Sequence, residues 1–317
     1  MRTFLLGLLW ACSTLVAAQA YPSKAIKIIV PFTPGSATDV MARIVGERLN
    51  AAWGQPVIVE NKPGAGGTIG IRDTARADPD GYTLVLVSSG HAVNHVLYKD
   101  LGYDTLKDFA AVAMLGSLPS VLIVPPNSPV NSVKELVAML KAKPGQYNYA
   151  SAGVGSGAHV SLEKFNVAAG VKAVHVALKG TPPILTETMA GRVEYAMVPA
   201  VSGMGPVRDG KVKPLAVTTS KRVAALPSVP TLGEAGLPAG ESTFWLALLA
   251  PAKTPQEIIT KVNAEVNRAL GAQDMVDRLA KLGTDPMPMT PAQSDAFIAH
   301  EYHELGKIMR DAGLKPQ

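Results

Sequence analysis

The sequence predicts an α/β fold of about two domains, and three observations carry that expectation. The chain has 317 residues, against a prior of roughly 100 to 200 residues per domain. Its composition, 47% hydrophobic and 17% charged with one Cys, can fill a core and excludes disordered and disulfide-framework classes. From residue 26 onward, short β-branched runs alternate with segments of helical period.

The candidate strands are IKIIVPF (26–32), VIVEN (57–61), TLVLVSS (83–89), VLIVPP (121–126), YNYAS (147–151), AVHVAL (173–178), VEYAMV (193–198), KPLAVTT (213–219) and FWLALLA (244–250). Apolar runs without polar alternation suit strands buried on both faces, so mainly parallel sheets covered by helices are expected. Helix starts are signalled independently. Ser132 with Glu135, Thr254 with Pro255 and Glu257, and Thr290 with Pro291 and Gln293 stand in capping-box order. Ile258, Ile259, Val262, Val266, Ala269 and Leu270 share one helical face. The region 255–312 reads as helical, a tail expected to pack on the first domain. No Ser/Gly or charged linker separates the domains, so strand-like crossings are expected near residues 120 and 241.

The N-terminus, MRTFLLGLLWACSTLVAAQA, has Arg2 in front, an apolar run from Phe4 to Ala18, and small residues at Ala18 and Ala20. It reads as a secretory signal peptide ending in A-x-A and cut after Ala20. A membrane anchor needs about 20 apolar residues, more than this run offers. A lipidated Cys12 is the third reading, against which Trp10 and Ala11 make a poor attachment sequence. Cleavage removes the only Cys and exports a thiol-free chain. Thirty Lys plus Arg against 25 Asp plus Glu give +5, but the bases are scattered without a run or interleaved aromatics, so no nucleic-acid surface is expected.

Four loops at strand ends are rich in Gly, Ser and Thr and lead into helices: TPGSATD (33–39), KPGAGGTIG (62–70), SSGHAVN (88–94) and SAGVGSGAH (151–159). Ligands of open sheets bind beyond strand carboxyl ends, where helix N-termini present free amides. In the first loop Ser36 either caps a helix beginning at Ala37, or joins Thr33 and Thr38 in holding an anion. The glycine loops lack a nucleotide fingerprint or a G-K-[ST] ending, so no cofactor is expected. Ser156 is flanked by Val154 and Ala158 rather than the glycines of a nucleophile elbow. HEYHE (300–304) is one residue short of a zinc motif, and His91 with His95 has no third ligand nearby, so no metal is expected. His159 and His175 are read as hydrogen-bonded structural histidines or as cleft residues.

The ordered motifs YPSKAIKIIVPFTPGSATDVMAR, GQPVIVENKPGAGGTIG, DPDGYTLVL, YNYASAGVGSGAH, ALKGT, LAVTTSKRVAALPSVPTLGEAGLP and LLAPAKTP span residues 21 to about 255. Across them the chain resembles the Bug-type substrate-binding proteins of tripartite tricarboxylate transporters. The resemblance implies a type II periplasmic-binding-protein fold, with two α/β lobes joined by a two-crossing hinge and the ligand in the interlobe cleft. The implied division is 1–20 signal peptide, 21–120 plus 242–317 lobe 1, and 121–241 lobe 2. The implied ligand-binding residues are Thr33, Gly35, Ser36, Thr38 and Asp39 from lobe 1, and Gly155, Ser156 and His159 from lobe 2. Ser88, Ser89, Asn94, Lys179, Gly180 and Thr181 would complete the cleft. Asp39 is expected to turn its carboxylate back to the cap amides.

The implied function is non-enzymatic: capture of a small carboxylate in the periplasm by a monomer that delivers it to membrane permease subunits. Family members that bind amino acids often carry an acid after the strand aligned with VEYAMV. Here the segment reads Met197, Val198, Pro199, Ala200, which suggests a ligand without a free amine. Where the family commonly has Tyr before the Lys of ALKGT, Leu178 makes that wall more apolar. The alternatives are a ligand-presenting partner of a membrane sensor kinase, and a secreted α/β enzyme, for which no nucleophile, base and orienting acid assemble.

Overall fold

A computed structural model describes residues 21–311 and 313–316. The signal-peptide reading and Cys12 therefore lie outside the described residues. The first half runs β1 (Ile26–Val30), α1 (Ala37–Trp53), β2 (Val57–Asn61), α2 (Thr68–Ala75), β3 (Thr83–Ser88), α3 (Asn94–Leu97) and β4 (Phe109–Leu118). It continues as β5 (Ser120–Val124), α4 (Val133–Ala142), β6 (Asn148–Ser151), α5 (Gly157–Ala169), β7 (Val174–Ala177), α6 (Thr181–Met189), β8 (Tyr195–Pro199), α7 (Ala200–Arg208) and β9 (Lys213–Val217). The chain closes with β10 (Phe244–Pro251), α8 (Gln256–Leu270), α9 (Gln273–Lys281), β11 (Asp285–Pro286) and α10 (Pro291–Asp311).

Two sheets result, ordered β11-β4-β10-β3-β1-β2 and β7-β6-β8-β5-β9. The chain passes from the first to the second at Pro119 and returns between β9 and β10. The sheets are mixed, which corrects the expectation of mainly parallel ones. β1 pairs in parallel with β2 and β3, and β6 with β7 and β8, whereas β10 and β5 run antiparallel to both their neighbours. Every residue of β5 and β10 is buried. Continuous apolarity therefore records helices on both faces, not strand direction, and the returning strands enter each sheet against its grain.

Side-chain alternation sends each strand to two cores. Ile28, Leu84 and Leu248 pack under α1 and α8 against Met41, Leu49, Val262 and Val266. Ile29, Val85 and Trp245 face the other way, toward Ile298 of α10. In the second sheet Ile123 and Val198 meet Ile184 and Leu185, while Leu122 and Met197 meet Leu136, Leu162 and Phe165.

Two of the three sequence caps form. Ser132 Oγ accepts from Glu135 N, and Thr290 and Gln293 bond reciprocally. Thr254 does not cap α8, whose N-cap position is Pro255; its hydroxyl is buried without a partner among the described residues. Among the described helices, none is long and apolar enough to cross a membrane.

The two connections between the sheets are tied together at Thr218. Its amide donates to Ser120 O and its hydroxyl accepts from Ser120 N, both at 3.0 Å, while its carbonyl accepts from Ser242 N. Replacing Thr218 by the isosteric Val leaves the buried Ser120 amide unpaired, a loss of about 1–3 kcal/mol. A urea titration should show a lower midpoint at unchanged m value; an unchanged midpoint would remove the cross-tie from the account of the hinge.

Candidate functional site

The loops after β1, β3, β6 and β8 meet between the sheets and enclose a cavity of about 20 Å³, room for about one water. Ser36, Ala37 and Thr38 come from the first turn of α1, and Ser156, Gly157 and Ala158 from that of α5. Thr181 opens α6, Ser88 ends β3, and Phe32, Ala152, Pro199 and Phe244 supply apolar walls. No lining side chain is charged. The first amides of each helix have no intrahelical acceptor and carry the positive end of its dipole, so the cavity is electropositive without a cation. Thr38 Oγ1 is buried in it with no partner among the described residues. Such a cavity suits an anion, each amide bond to a charged acceptor contributing roughly 1.5–3 kcal/mol.

Ser36 occupies the N-cap position of α1, but its hydroxyl makes no cap bond. It accepts from Thr181 N at 3.1 Å, which corrects the capping alternative and makes Ser36 a bridge between the sheets' loops. Ser156 does cap, accepting from His159 N. Further bonds cross the cleft: Thr33 N to Lys179 O, Tyr98 Oη to Val154 O, and Ser202 Oγ to Gly35 O, at 2.8–3.1 Å. Lys179 contributes that carbonyl while its side chain is exposed. Gly180 lies against Thr33, where an added Cβ would stand 2.1 Å from Oγ1. Gly66 has φ +61°, and a Cβ there would come within 1.7 Å of Val154 O. Only glycine permits that approach.

Several expected site residues hold the loops rather than line the cavity. Asp39 is 3% exposed and turns away to accept from Gly35 N, Arg43 and Asn61 at 2.9–3.1 Å. Burial opposes its ionisation, and the hydrogen bonds from Arg43, Gly35 and Asn61 outweigh that, holding the carboxyl below its ordinary range. Asn94, fully buried, reaches the Gly90 and Gly155 carbonyls at 3.3 and 3.2 Å with its amide nitrogen turned toward them. Ser89 faces a separate cavity. His159 Nδ1 accepts from Gly155 N at 3.3 Å, and its ring stacks on His175, which stacks on Tyr149. Burial and the adjacent His175 push the His159 pKa down to about 3, and burial takes His175 down to about 4.

His91 and His95 have separate aromatic neighbours. His91 is buried against Tyr103 and Phe109, and His95 stacks on Tyr302. No cluster of metal-ligating side chains occurs among the described residues. Sequence reasoning did not single out Phe32, Ala152 and Phe244 as walls, nor Tyr98, Arg43 and Asn61 as supports. Phe244 lies inside an apolar strand, where nothing separates a cleft wall from core.

Two sheets with helix N-termini facing each other across a cleft give the two-lobe architecture of solute-binding proteins. The model of the tripartite tricarboxylate transporter family receptor matches residues 41–314, and the chain belongs to that family of periplasmic binding proteins. The fold is similar to the periplasmic binding protein BugD, with a TM-score of 0.90 and 31% identity over 94% of this chain and 100% of that one. It is equally similar to an R. palustris protein with adipate, at TM-score 0.90 and 32% identity over 94% and 100% of the chains. MatC from Rhodopseudomonas palustris with bound malate gives 0.86 and 33% over 91% and 99%.

Two predictions follow from this geometry. In Gly66→Ala the methyl cannot pass Val154 O, so calorimetric affinity for the protein's solute should fall at least tenfold, about 1.4 kcal/mol, with small-angle scattering showing a more open molecule. Unchanged affinity would remove Gly66 from closure. The second concerns pH. His159 and His175 are neutral in the fold, so the unfolded chain binds more protons below its histidine pKa of about 6.5. Their contribution is intact above pH 6.5 and is lost as pH falls toward 4 and 3. Thermal unfolding should show the midpoint falling through this window, with a shallower fall in His159→Gln.

Proposed function

We propose that this chain is the periplasmic receptor of a tripartite tricarboxylate-type secondary transporter, capturing a small carboxylate without a free amine and delivering it to membrane permease subunits. The observation that carries this reading is the cavity into which α1, α5 and α6 point their N-termini while its lining contains no acid. With the loops parted enough to admit it, a carboxylate gains amide donors from both sides there. An ammonium group would be buried without a partner, a cost of several kcal/mol in a dry site. Adipate and malate, the ligands of the two R. palustris proteins, are both diacids without an amine.

In this reading Ser36, Thr38, Ser88, Ser156 and Thr181, with the amides of residues 37, 38, 157 and 158, contact the ligand. Thr33, Gly35, Asp39, Ser89, Asn94, Gly155, His159, Lys179 and Gly180 shape the loops around it. Lobe 1 comprises residues 21–120 plus 242–317 and lobe 2 residues 121–241, closing as a monomer about the Thr218 cross-tie. Residues 1–20 direct export and are removed.

Thermal unfolding of the chain from Tyr21, refolded to strip carried-over ligand, tests the reading against mono-, di- and tricarboxylates, amino acids, nucleotides and sugars. A ligand at 100 times its Kd adds ~2.7 kcal/mol, a shift of several degrees. An amine-free acid should give it. A shift by aspartate or glutamate alone would overturn the amine-free assignment, and a shift by nucleotides or sugars alone would overturn carboxylate capture.

A further inference from the structure

A cavity of about 350 Å³ lies beside the first sheet, at the size of small-ligand sites. Its lining comes from the turn after β3, the loop before β4, the first residues of β4, the end of β10, and α10. None of it comes from the second sheet or the helices that cover that sheet, and it shares no lining residue with the cleft cavity. Phe109, Leu249 and Ile298 supply apolar walls, and the polar members are His91, Thr105 and Asp295. His91 is 2% and Thr105 4% exposed. Neither ring nitrogen of His91, nor Thr105 Oγ1, has a hydrogen-bond partner among the described residues. Buried polar groups are ordinarily paired, so two unpaired side chains on one cavity point to an occupant.

The charge of this cavity selects the occupant. No Lys or Arg lines it, and Asp295, its exposed member, forms no ion pair among the described residues. One Asp295 oxygen accepts from Ala111 N at 2.9 Å, which fixes the carboxylate beside the cavity and leaves the other oxygen free. The adjoining loop adds Asp104 and Asp108 against Lys107, which is itself paired with Asp104 at 3.2 Å. Burial takes the His91 pKa down to about 4, against a smaller opposing effect of the Thr105 backbone. The imidazole is therefore neutral near pH 7 and one ring nitrogen keeps a lone pair. Three acceptors thus line the cavity: the free Asp295 oxygen, Thr105 Oγ1 and a His91 nitrogen. An alkylammonium group carries three N–H donors and no acceptor, and its chain matches the apolar walls. An anion would meet Asp295 without a compensating cation.

We propose that this cavity is a second binding site, for a small primary aliphatic amine. The ammonium group donates to Asp295, Thr105 and His91, and the chain packs on Phe109, Leu249 and Ile298. The site is separate from the cleft and does not depend on which solute the cleft takes.

The test is calorimetric titration of the protein near neutral pH with n-butylammonium, and with butan-1-ol as the uncharged probe of matching shape. Wild type is compared with Asp295→Asn, Thr105→Val and Ala299→Leu, with folding of each verified by thermal unfolding. Asp295→Asn removes the charge and keeps an acceptor for the Ala111 amide; Ala299→Leu adds bulk to the cavity wall from α10 without touching a polar group. Wild type should bind n-butylammonium saturably and at least tenfold more tightly than butan-1-ol. Asp295→Asn and Ala299→Leu should each lower the amine affinity at least tenfold, and Thr105→Val at least threefold. No binding of the amine, equal binding of amine and alcohol, or an amine affinity unchanged in any of the three folded variants would overturn the site.

Discussion

The amino ends of α1 and α5, carried by different sheets, face each other across one cleft, and the surrounding structure serves that approach. Each end holds unpaired amides and a partial positive charge of roughly half an elementary unit. Bringing two such ends together in a low-dielectric space is unfavourable unless something negative lies between them. An anionic ligand would turn that repulsion into attraction, which is how the proposed site would select for charge without a countercharge of its own. Asp39, the acid of the first turn of α1, is satisfied by Gly35, Arg43 and Asn61 and leaves the field in the cavity to the helices.

That arrangement needs loops held in one shape, and polar groups behind each loop do the holding. On one side Asp39 collects the Gly35 amide while Asn61, which also donates to Phe32 O, fixes the strand end. On the other, His159 Nδ1 must be unprotonated to accept the Gly155 amide. A proton there would set two donors against each other. The stack of His159 on His175 and Tyr149 supplies the burial that keeps the imidazole neutral. The same contact that shapes the loop therefore makes the fold sensitive to acid.

Much of this was legible in the sequence. Strands of Val, Ile and Leu stood out because burial on both faces leaves no polar positions to interrupt them. β4, FAAVAMLGSL, did not: its Ala, Gly and Ser have weak strand preference, and packing beside β10 and under α8 makes it a strand. Strand direction was illegible because β5 and β10 are as apolar as parallel strands while running against their neighbours. The Gly/Ser/Thr loops marked the cleft, yet Ser36 at a cap position looks identical whether it bonds its own helix or Thr181 on another. Arg43, Asn61 and Tyr98 act only through partners distant in sequence, so no local pattern discloses them.

Closure is held directly by few bonds, among them Ser36 with Thr181, Thr33 with Lys179, and Tyr98 with Val154. Each contributes about 1 kcal/mol net, set against the restricted motion of the lobes and the crowding of like helix dipoles. With so few bonds across the cleft, a ligand with differential affinity for the closed form can decide between open and closed. A ligand whose charge relieves the dipole repulsion has that differential affinity by construction, because the repulsion exists only when the lobes are closed. Recognition of charge and selection of the closed form are then one interaction.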